Sequence, residues 1–337
     1  MTLNSVDDRL IIFNKINGYI DKYLDEDKEP SKCLKKRNSK LDYNGKIILD
    51  SLLSVNSLAG SIYISHIDEH ADYKFITKVQ LNDKYGDSDM ELFFLNLIKN
   101  KLLLDNEKYK TFNIHLPLLY NSIECIDYNP SDNVIVIKES SGLSKFNYYS
   151  VFVEMAQGSL EDFIKNNYFS EEELLNVMIQ CFIGIFSCHK MNIYHNDAHV
   201  GNFLYYKIKY DRHEYFEYRL ISKNKTYKSF FLKNIGYNFF IWDFGRSKKV
   251  NQSNRQFLYN DYITLIMSIF DTLMSYNKLI TYSQILYHTG IAIHYLNKKK
   301  NIFEICYNII RLKFEHSFFR GSLPEDGKVV KTISIYI

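Results

Sequence analysis

The spacing of hydrophobic positions changes near the middle of the chain, which predicts two regions of different structure. Apolar residues recur at helical intervals within residues 5–25, where Ser5 and Asp8 have the spacing of a capping box. A charged stretch at residues 25–40 follows and is typical of a linker. Short runs of strand character then lie at residues 61–65, 74–79, 116–120, 134–137 and 148–154, with a predicted helix at 89–99.

From residue 159 onward the apolar residues follow a helical period. Ser170 and Glu173 form a second capping box, and the stripe that follows consists of Leu174, Met178, Cys181, Phe182 and Ile185. These patterns predict an α+β protein with a small β-rich lobe followed by a larger helical lobe. The predicted boundaries are an N-terminal helix with a charged linker at 1–45, the first lobe at 46–153, the second lobe at 154–320 and a tail at 321–337.

Composition excludes several classes of function. The chain has 337 residues, of which 46% are hydrophobic and 24% charged, and this is typical of a globular protein. A net charge of +3 is too small for the basic surface of a nucleic-acid-binding protein, so we expect no nucleic-acid partner. No run of 18 apolar residues occurs, so we expect no membrane span and an intracellular, cytoplasmic location.

The cysteines indicate a reducing compartment. Their number is five, which is odd, and no C-x-x-C pair is present. Cys181 and Cys188 lie within the apolar helical stripe. We therefore expect buried, reduced thiols rather than a disulfide framework or a zinc site.

The strongest chemical signal is the octapeptide HNDAHVGN at residues 195–202, which precedes an apolar pair. It resembles the catalytic loop of protein kinases, H-x-D-x-x-x-x-N. The resemblance implies that Asp197 accepts or orients the proton of a hydroxyl substrate and that Asn202 binds Mg2+. A turn rich in His, Asn and Asp is the structural alternative for this segment taken alone.

A second motif, FIWDFG at residues 240–245, lies downstream in the order that the kinase family requires. Its aspartate, Asp243, follows an apolar strand and would bind the magnesium ion that bridges the phosphates of ATP. The two motifs together are similar to the protein-kinase superfamily over roughly residues 50–275. The resemblance implies a bilobal kinase-like fold with ATP and Mg2+ as cofactors.

In the first lobe, the resemblance assigns the nucleotide-binding strands. Residues 55–62, VNSLAGSI, occupy the place of the glycine-rich loop and keep Gly60 alone of its three glycines, while Ile62 takes the adenine-packing position. Residues 75–78, FITK, resemble V-A-I-K, so Lys78 would hold the α- and β-phosphates. Glu91 is the candidate helix partner of Lys78, although it follows at a shorter interval than in most family members.

Two further segments extend the resemblance. Residues 152–160, FVEMAQGSL, resemble the hinge between kinase lobes. Val153 would be the gatekeeper, and the backbones of Glu154 and Ala156 would bind the adenine edge. Asp261 resembles the aspartate that anchors the catalytic loop, and an ordinary helix-terminal aspartate is an equal alternative.

Several features of the sequence depart from the pattern of the protein-kinase family. His199 stands where most protein kinases carry lysine, a spelling similar to aminoglycoside, choline and haspin-type kinases, and it would donate to the γ-phosphate. Asn196 replaces the arginine that pairs with an activation-loop phosphate. No A-P-E triplet follows Asp243, and an insertion at about 205–239 predicts an extended hairpin. Kinase-like proteins of large DNA viruses show a similar long hairpin and truncated segment. The abundance of Tyr, Phe, Asn, Ile and Lys is typical of an AT-rich coding sequence and suits that origin.

The resulting expectation is an ATP- and Mg2+-dependent serine/threonine protein kinase that acts on a protein substrate. A small-molecule hydroxyl kinase is the second hypothesis, which the His199 spelling favours. A nucleotide-binding pseudokinase scaffold is the third, because the glycine loop is eroded. Lys78, Asp197, Asn202 and Asp243 are all present, which favours an active enzyme.

Overall fold

The computed structural model describes most of the chain and divides it into two compact units. The described residues are 3, 5–26, 33–37, 40–57, 60–82, 87–109, 112–128, 146–222, 225–253, 257–278 and 319–336. The first unit comprises Asp7–Lys99 and Pro117–Met155. The second unit comprises Met1–Val6, Asn100–Leu116 and Ala156–Ile337. Among the described residues, no helix is both long enough and apolar enough to span a bilayer.

The described residues of the first unit form an antiparallel sheet of seven strands in the order β1-β2-β3-β4-β5-β7-β6. The helices are α1 (Asp7–Glu26) and α2 (Asp87–Tyr109), the latter ending in the second unit. The strands are β1 (Lys35–Arg37), β2 (Lys40–Tyr43), β3 (Ile47–Ser57), β4 (Gly60–Ile67), β5 (His70–Leu81), β6 (Leu119–Tyr128) and β7 (Phe146–Val153).

Aromatic side chains hold α1 against this sheet. Phe75 of β5 makes edge contacts with Phe152 of β7 and Tyr120 of β6, at ring distances of 5.9 and 6.1 Å. Phe13 of α1 stacks on Tyr120 at 5.6 Å. Each of these rings is at most 2% exposed, so the face that α1 covers is the core of the first unit.

The described residues of the second unit form helices and three small sheets. Its helices are α3 (Leu160–Asn166), α4 (Glu171–Lys190) and α5 (Tyr259–Ser275). Its strands are β8 (Gly158–Ser159), β9 (Ile193–Tyr194), β10 (Phe203–Lys207), β11 (Glu214–Ser222), β12 (Lys225–Lys233), β13 (Tyr237–Ile241), β14 (Lys248–Lys249), β15 (Phe319–Arg320) and β16 (Lys328–Tyr336). They form the sheets β13-β10-β8, β15-β12-β11-β16 and β14-β9.

The capping box predicted at Ser170 and Glu173 is confirmed, and each residue accepts the other's backbone amide at the start of α4. The helix is buried on every side from Leu174 to Cys188 rather than along one stripe. A helix that is apolar all round lies inside its domain, so α4 forms the centre of the second unit.

The predicted insertion and the tail pair with one another. Strands β11 and β12 form the expected hairpin, with Tyr215 opposite Lys233. The tail strand β16 adds to the outer side of β11 in parallel, and Tyr218 lies opposite Ile333. Both of these residues are fully buried, so the tail is an integral part of this sheet.

The α+β class is confirmed, and several local predictions need correction. The stretch 25–40 contains β1, an edge strand whose charged residues give no hydrophobic signal. Strand β3 was not predicted, and β6 begins three residues later than the strand predicted from residue 116. The strand predicted at 134–137 and the helical pattern after residue 278 lie outside the described residues.

The prediction that the cysteines form no disulfide is wrong for one pair. Cys33 and Cys125 are joined by a disulfide bond across 92 positions of the chain. The edge strand β1 begins two residues after Cys33, whereas Cys125 lies on β6 at the opposite end of the strand order. Cys181 and Cys188 are buried free thiols, as predicted, and burial raises the pKa of both.

Candidate active site

Lys78 and Glu91 form a buried ion pair in the first unit. Lys78 lies on β5, opposite Ile62 of β4 and Val151 of β7. Its Nζ donates to Glu91 Oε2 at 2.6 Å, and the two side chains are 7% and 2% exposed. Because an unpaired charge is very unfavourable in such a position, each residue holds the other in place. The structure therefore brings together the lysine and the helix glutamate that the sequence paired.

Gly60 begins β4 at the site of the single retained glycine. A Cβ added there would lie 2.0 Å from the carbonyl oxygen of Val79 on the neighbouring strand. No side chain fits at that distance, so glycine is required by the close approach of two backbones. Two residues of the predicted loop, Leu58 and Ala59, lie outside the described residues.

Glu154, at the predicted hinge, forms hydrogen bonds with Leu118 through both its backbone and its side chain. Its amide donates to the carbonyl of Leu118 at 3.2 Å, and the Leu118 amide donates back to Glu154 Oε1 at 2.8 Å. Arg9 of α1 binds the same carboxylate with two nitrogens, at 2.6 and 3.0 Å. Sequence reasoning missed Arg9.

The other two residues predicted at the hinge differ in exposure. Val153 is buried and Ala156 is half-buried.

In the second unit, Asn202 holds Asp197 within the loop that joins β9 to β10. The side-chain nitrogen of Asn202 donates to the Asp197 carbonyl at 2.8 Å and to its Oδ2 at 3.4 Å. This leaves the amide oxygen of Asn202 as the atom with which it can bind a metal ion. The sequence placed these two residues in one loop, and in the structure hydrogen bonds join them.

Asn202 lies opposite Trp242, the residue before Asp243, at the end of a strand pair. Strands β10 and β13 are antiparallel, with Phe203 opposite Ile241. One further bond, from the Trp242 amide to the Asn202 carbonyl at 2.8 Å, extends the ladder. Asp243 comes next and adopts a left-handed backbone with φ 57°, which is uncommon outside glycine and typical of functional positions.

The donors at this point fit magnesium. A carboxylate from Asp243 and an amide oxygen from Asn202 are hard oxygen ligands, and Mg2+ is usually held by one or two such groups together with substrate phosphates. Among the described residues, no group of three or more His, Cys, Asp and Glu side chains forms a separate metal cluster.

His199 faces Asp197 from within the same loop. The Gly201 amide donates to His199 Nδ1 at 3.1 Å, so in the neutral ring the proton lies on Nε2. That nitrogen is 3.8 Å from Asp197 Oδ2. A Cβ at Gly201 would come within 2.8 Å of the His199 ring, so a larger residue there would require the histidine side chain to shift.

Arg246 is a second cation near Asp197, and sequence reasoning missed it. Its Nη1 lies 3.6 Å from Asp197 Oδ1, and its side chain is 64% exposed. No sequence pattern marks this arginine, because it follows the D-F-G motif as a single exposed charge.

Asp261 anchors the loop, as the resemblance implied. It lies in the first turn of α5 and is 1% exposed. Its two carboxylate oxygens accept the amides of His195 at 3.0 Å and Asn196 at 2.7 Å, and one of them also contacts His189. Asn196 has a left-handed backbone with φ 63°, so the carboxylate fixes the loop at a strained turn.

His195 connects the loop to the D-F-G segment. Its Nε2 donates to the Trp242 carbonyl at 2.8 Å, and its ring lies 5.1 Å from that of Phe244. Burial lowers the pKa of His195, although the nearby carboxylates of Asp261, Asp243 and Asp197 oppose this effect. The residue is therefore a neutral structural donor that sets the spacing of the two motifs.

Comparisons with known proteins give a fold likeness alone. No protein-family model matches the chain, and no curated protein sequence is significantly similar to it. Solved structures similar to it include a chain of the CAK complex from Chaetomium thermophilum bound to ATP-gamma-S, at 14% identity and a TM-score of 0.38. Vaccinia related kinase 3 matches at 12% identity and the same TM-score.

These two matches cover 63% and 66% of this chain and about half of each matched chain, 50% and 53%. Both solved structures are protein kinases. At these identities and TM-scores neither bears on the chemistry of this chain, and the roles of its residues rest on the contacts described above.

Proposed function

We propose that this protein is an ATP- and Mg2+-dependent phosphotransferase, most specifically a serine/threonine protein kinase. The observation that carries the proposal is the construction of the loop at residues 195–202. Asp261 fixes the start of this loop, Asn202 holds Asp197 within it, and the β10–β13 ladder sets Asn202 opposite Trp242, the residue before Asp243. Phosphoryl transfer depends on positioning and charge, and this arrangement supplies both.

Each residue has a distinct role in the proposal. Lys78, oriented by Glu91, binds the α- and β-phosphates, while Gly60, Ile62 and the backbones of Glu154 and Ala156 receive the rest of the nucleotide. Asn202 and Asp243 would hold Mg2+, which supplies charge neutralisation on the phosphates.

Asp197 accepts the proton of the attacking hydroxyl. His199 contributes its Nε2 proton as a donor to the transferring phosphate, because Gly201 occupies its other nitrogen.

A protein acceptor is favoured by the inserted hairpin. Strands β11 and β12, reinforced by the tail strand β16, add a four-stranded sheet to the unit that carries Asp197. An added sheet of this size gives a broad structured surface, and such surfaces suit macromolecular partners better than small alcohols.

A small-molecule hydroxyl kinase is the second candidate, and the position of His199 favours it. The D-x-H spelling is similar to aminoglycoside and choline kinases, and the histidine contacts Asp197 in this fold. The two candidates are separated by offering Mg-ATP with labelled γ-phosphate to a mixed protein substrate and, separately, to a panel of amino alcohols. Label on protein alone supports the protein kinase, and label on an alcohol alone contradicts it.

A further inference from the structure

The N-terminal helix reaches the proposed adenine-binding residue through a buried ion pair. Arg9 of α1 and Glu154 have side chains that are each 1% exposed. The guanidinium binds both carboxylate oxygens, at 2.6 and 3.0 Å. Bidentate pairs of this kind are strong and directional, so Arg9 sets the orientation of the Glu154 carboxylate.

The carboxylate in turn sets the position of the Glu154 backbone. Glu154 and Leu118 exchange two hydrogen bonds, one from the Glu154 amide and one into its carboxylate. The backbone and side chain of Glu154 are thereby closed into one ring with Leu118. A movement of the carboxylate would be transmitted to the main chain that is proposed to contact adenine.

Arg9 is itself held on a fixed helix. Phe13, one turn later in α1, stacks on Tyr120 at 5.6 Å. Lys99 of α2 donates to Asn17 Oδ1 at 3.0 Å and also to the Tyr120 carbonyl. Helix α1 is therefore connected both to β6 and to the helix that carries Glu91.

We propose that Arg9 is a positioning residue for adenine recognition, acting through Glu154. The inference rests on the proposed function, because it assigns a further residue to the same nucleotide site. Without Arg9, the buried carboxylate would lose the guanidinium that binds both of its oxygens, and its orientation would no longer be fixed. The geometry of the Glu154 backbone would change with it.

The test compares ATP with inorganic tripolyphosphate, which carries the phosphates and lacks adenine. Calorimetric titration with each compound, in the presence of Mg2+, is made on the wild type and on Arg9→Met. We expect the dissociation constant of ATP to rise about tenfold and that of tripolyphosphate to stay unchanged. Arg9→Lys keeps the positive charge but cannot bind both carboxylate oxygens with a planar guanidinium. Its dissociation constant for ATP should lie between those of the wild type and Arg9→Met. Lys15→Met removes a cation from the same helix without touching Glu154 and should bind ATP as the wild type does.

If Arg9→Met fails to fold, a double variant allows the same binding measurement. Replacing both partners, Arg9→Met with Glu154→Met, removes the buried charges together, and such replacements often preserve stability. We expect it to fold and still to bind ATP about tenfold more weakly. The role of Arg9 would be overturned if the double variant bound ATP with wild-type affinity. It would also be overturned if Arg9→Met lost affinity for tripolyphosphate as much as for ATP. A wild type that binds no ATP would instead overturn the proposed function and this inference with it.

Discussion

Lys78 Nζ donates to Glu91 Oε2 at 2.6 Å, and both side chains are buried in the first unit. Replacing Glu91 by glutamine removes the negative charge that lies 2.6 Å from this buried ammonium group. Glu91→Gln should therefore lower the free energy of unfolding by about 3 kcal/mol and raise the KM for ATP. Chemical denaturation and steady-state kinetics measure the two effects. The matched control is Glu107→Gln, at an exposed position of the same helix, which should change neither.

Asp261 should be required for turnover although it has no proposed contact with substrate. The variant Asp261→Asn keeps the size of the side chain and loses one of the two oxygens that accept the His195 and Asn196 amides. Hydrogen bonds to a charged group contribute about 1.5–3 kcal/mol, so we expect a stability loss of that order together with a lower kcat. Asp271→Asn, exposed on the same helix, is the control. Unchanged kcat in a folded Asp261→Asn protein would refute the anchoring role.

His195 should make the fold sensitive to mild acid. Burial lowers the pKa of this histidine in the folded protein, whereas the unfolded chain has a pKa of about 6.5. As the pH falls below that value, the unfolded chain binds a proton that the folded protein does not. The free energy of unfolding should therefore decrease from about pH 6.5 downward, and the contribution should be fully present above it.

His195→Gln isolates this effect, since glutamine can donate to the Trp242 carbonyl and does not titrate. Melting temperatures at neutral pH and at about pH 5.5 give the comparison for both proteins. The difference between the two temperatures should be smaller in the variant. An equal difference would show that the acid sensitivity of the fold arises at other groups.

The sequence was most informative where function confines residues to short motifs. Asp197 and Asn202 lie in one loop, so their proximity could be predicted from spacing and family resemblance, as could the position of Asp243 after an apolar strand. The Lys78–Glu91 pair was predicted in the same way. Within each of these motifs the residues are close together in the sequence, so a single sequence is enough to predict that they lie near one another in the fold.

Long-range pairings could not be predicted. Arg9 and Glu154 are separated by 145 positions, and neither belongs to a periodic pattern that points to the other. Cys33 and Cys125 are separated by 92 positions, and an odd number of cysteines argued against any bridge. The parallel pairing of β16 with β11 depends on the fold of the whole second unit, and the charged residues of β1 carry no strand signal.

The most direct test of the central claim is the transfer of labelled γ-phosphate from Mg-ATP by the wild type and by Asp197→Asn. Asparagine keeps the backbone contact of Asp197 with Asn202 and cannot accept the hydroxyl proton, so nucleotide binding should persist while turnover falls by a factor on the order of 10² to 10⁴. Asp243→Asn should instead abolish the Mg2+-dependent binding of ATP. Equal transfer by the wild type and Asp197→Asn would contradict the role of Asp197, and no transfer by a wild type that binds ATP would contradict phosphoryl transfer itself.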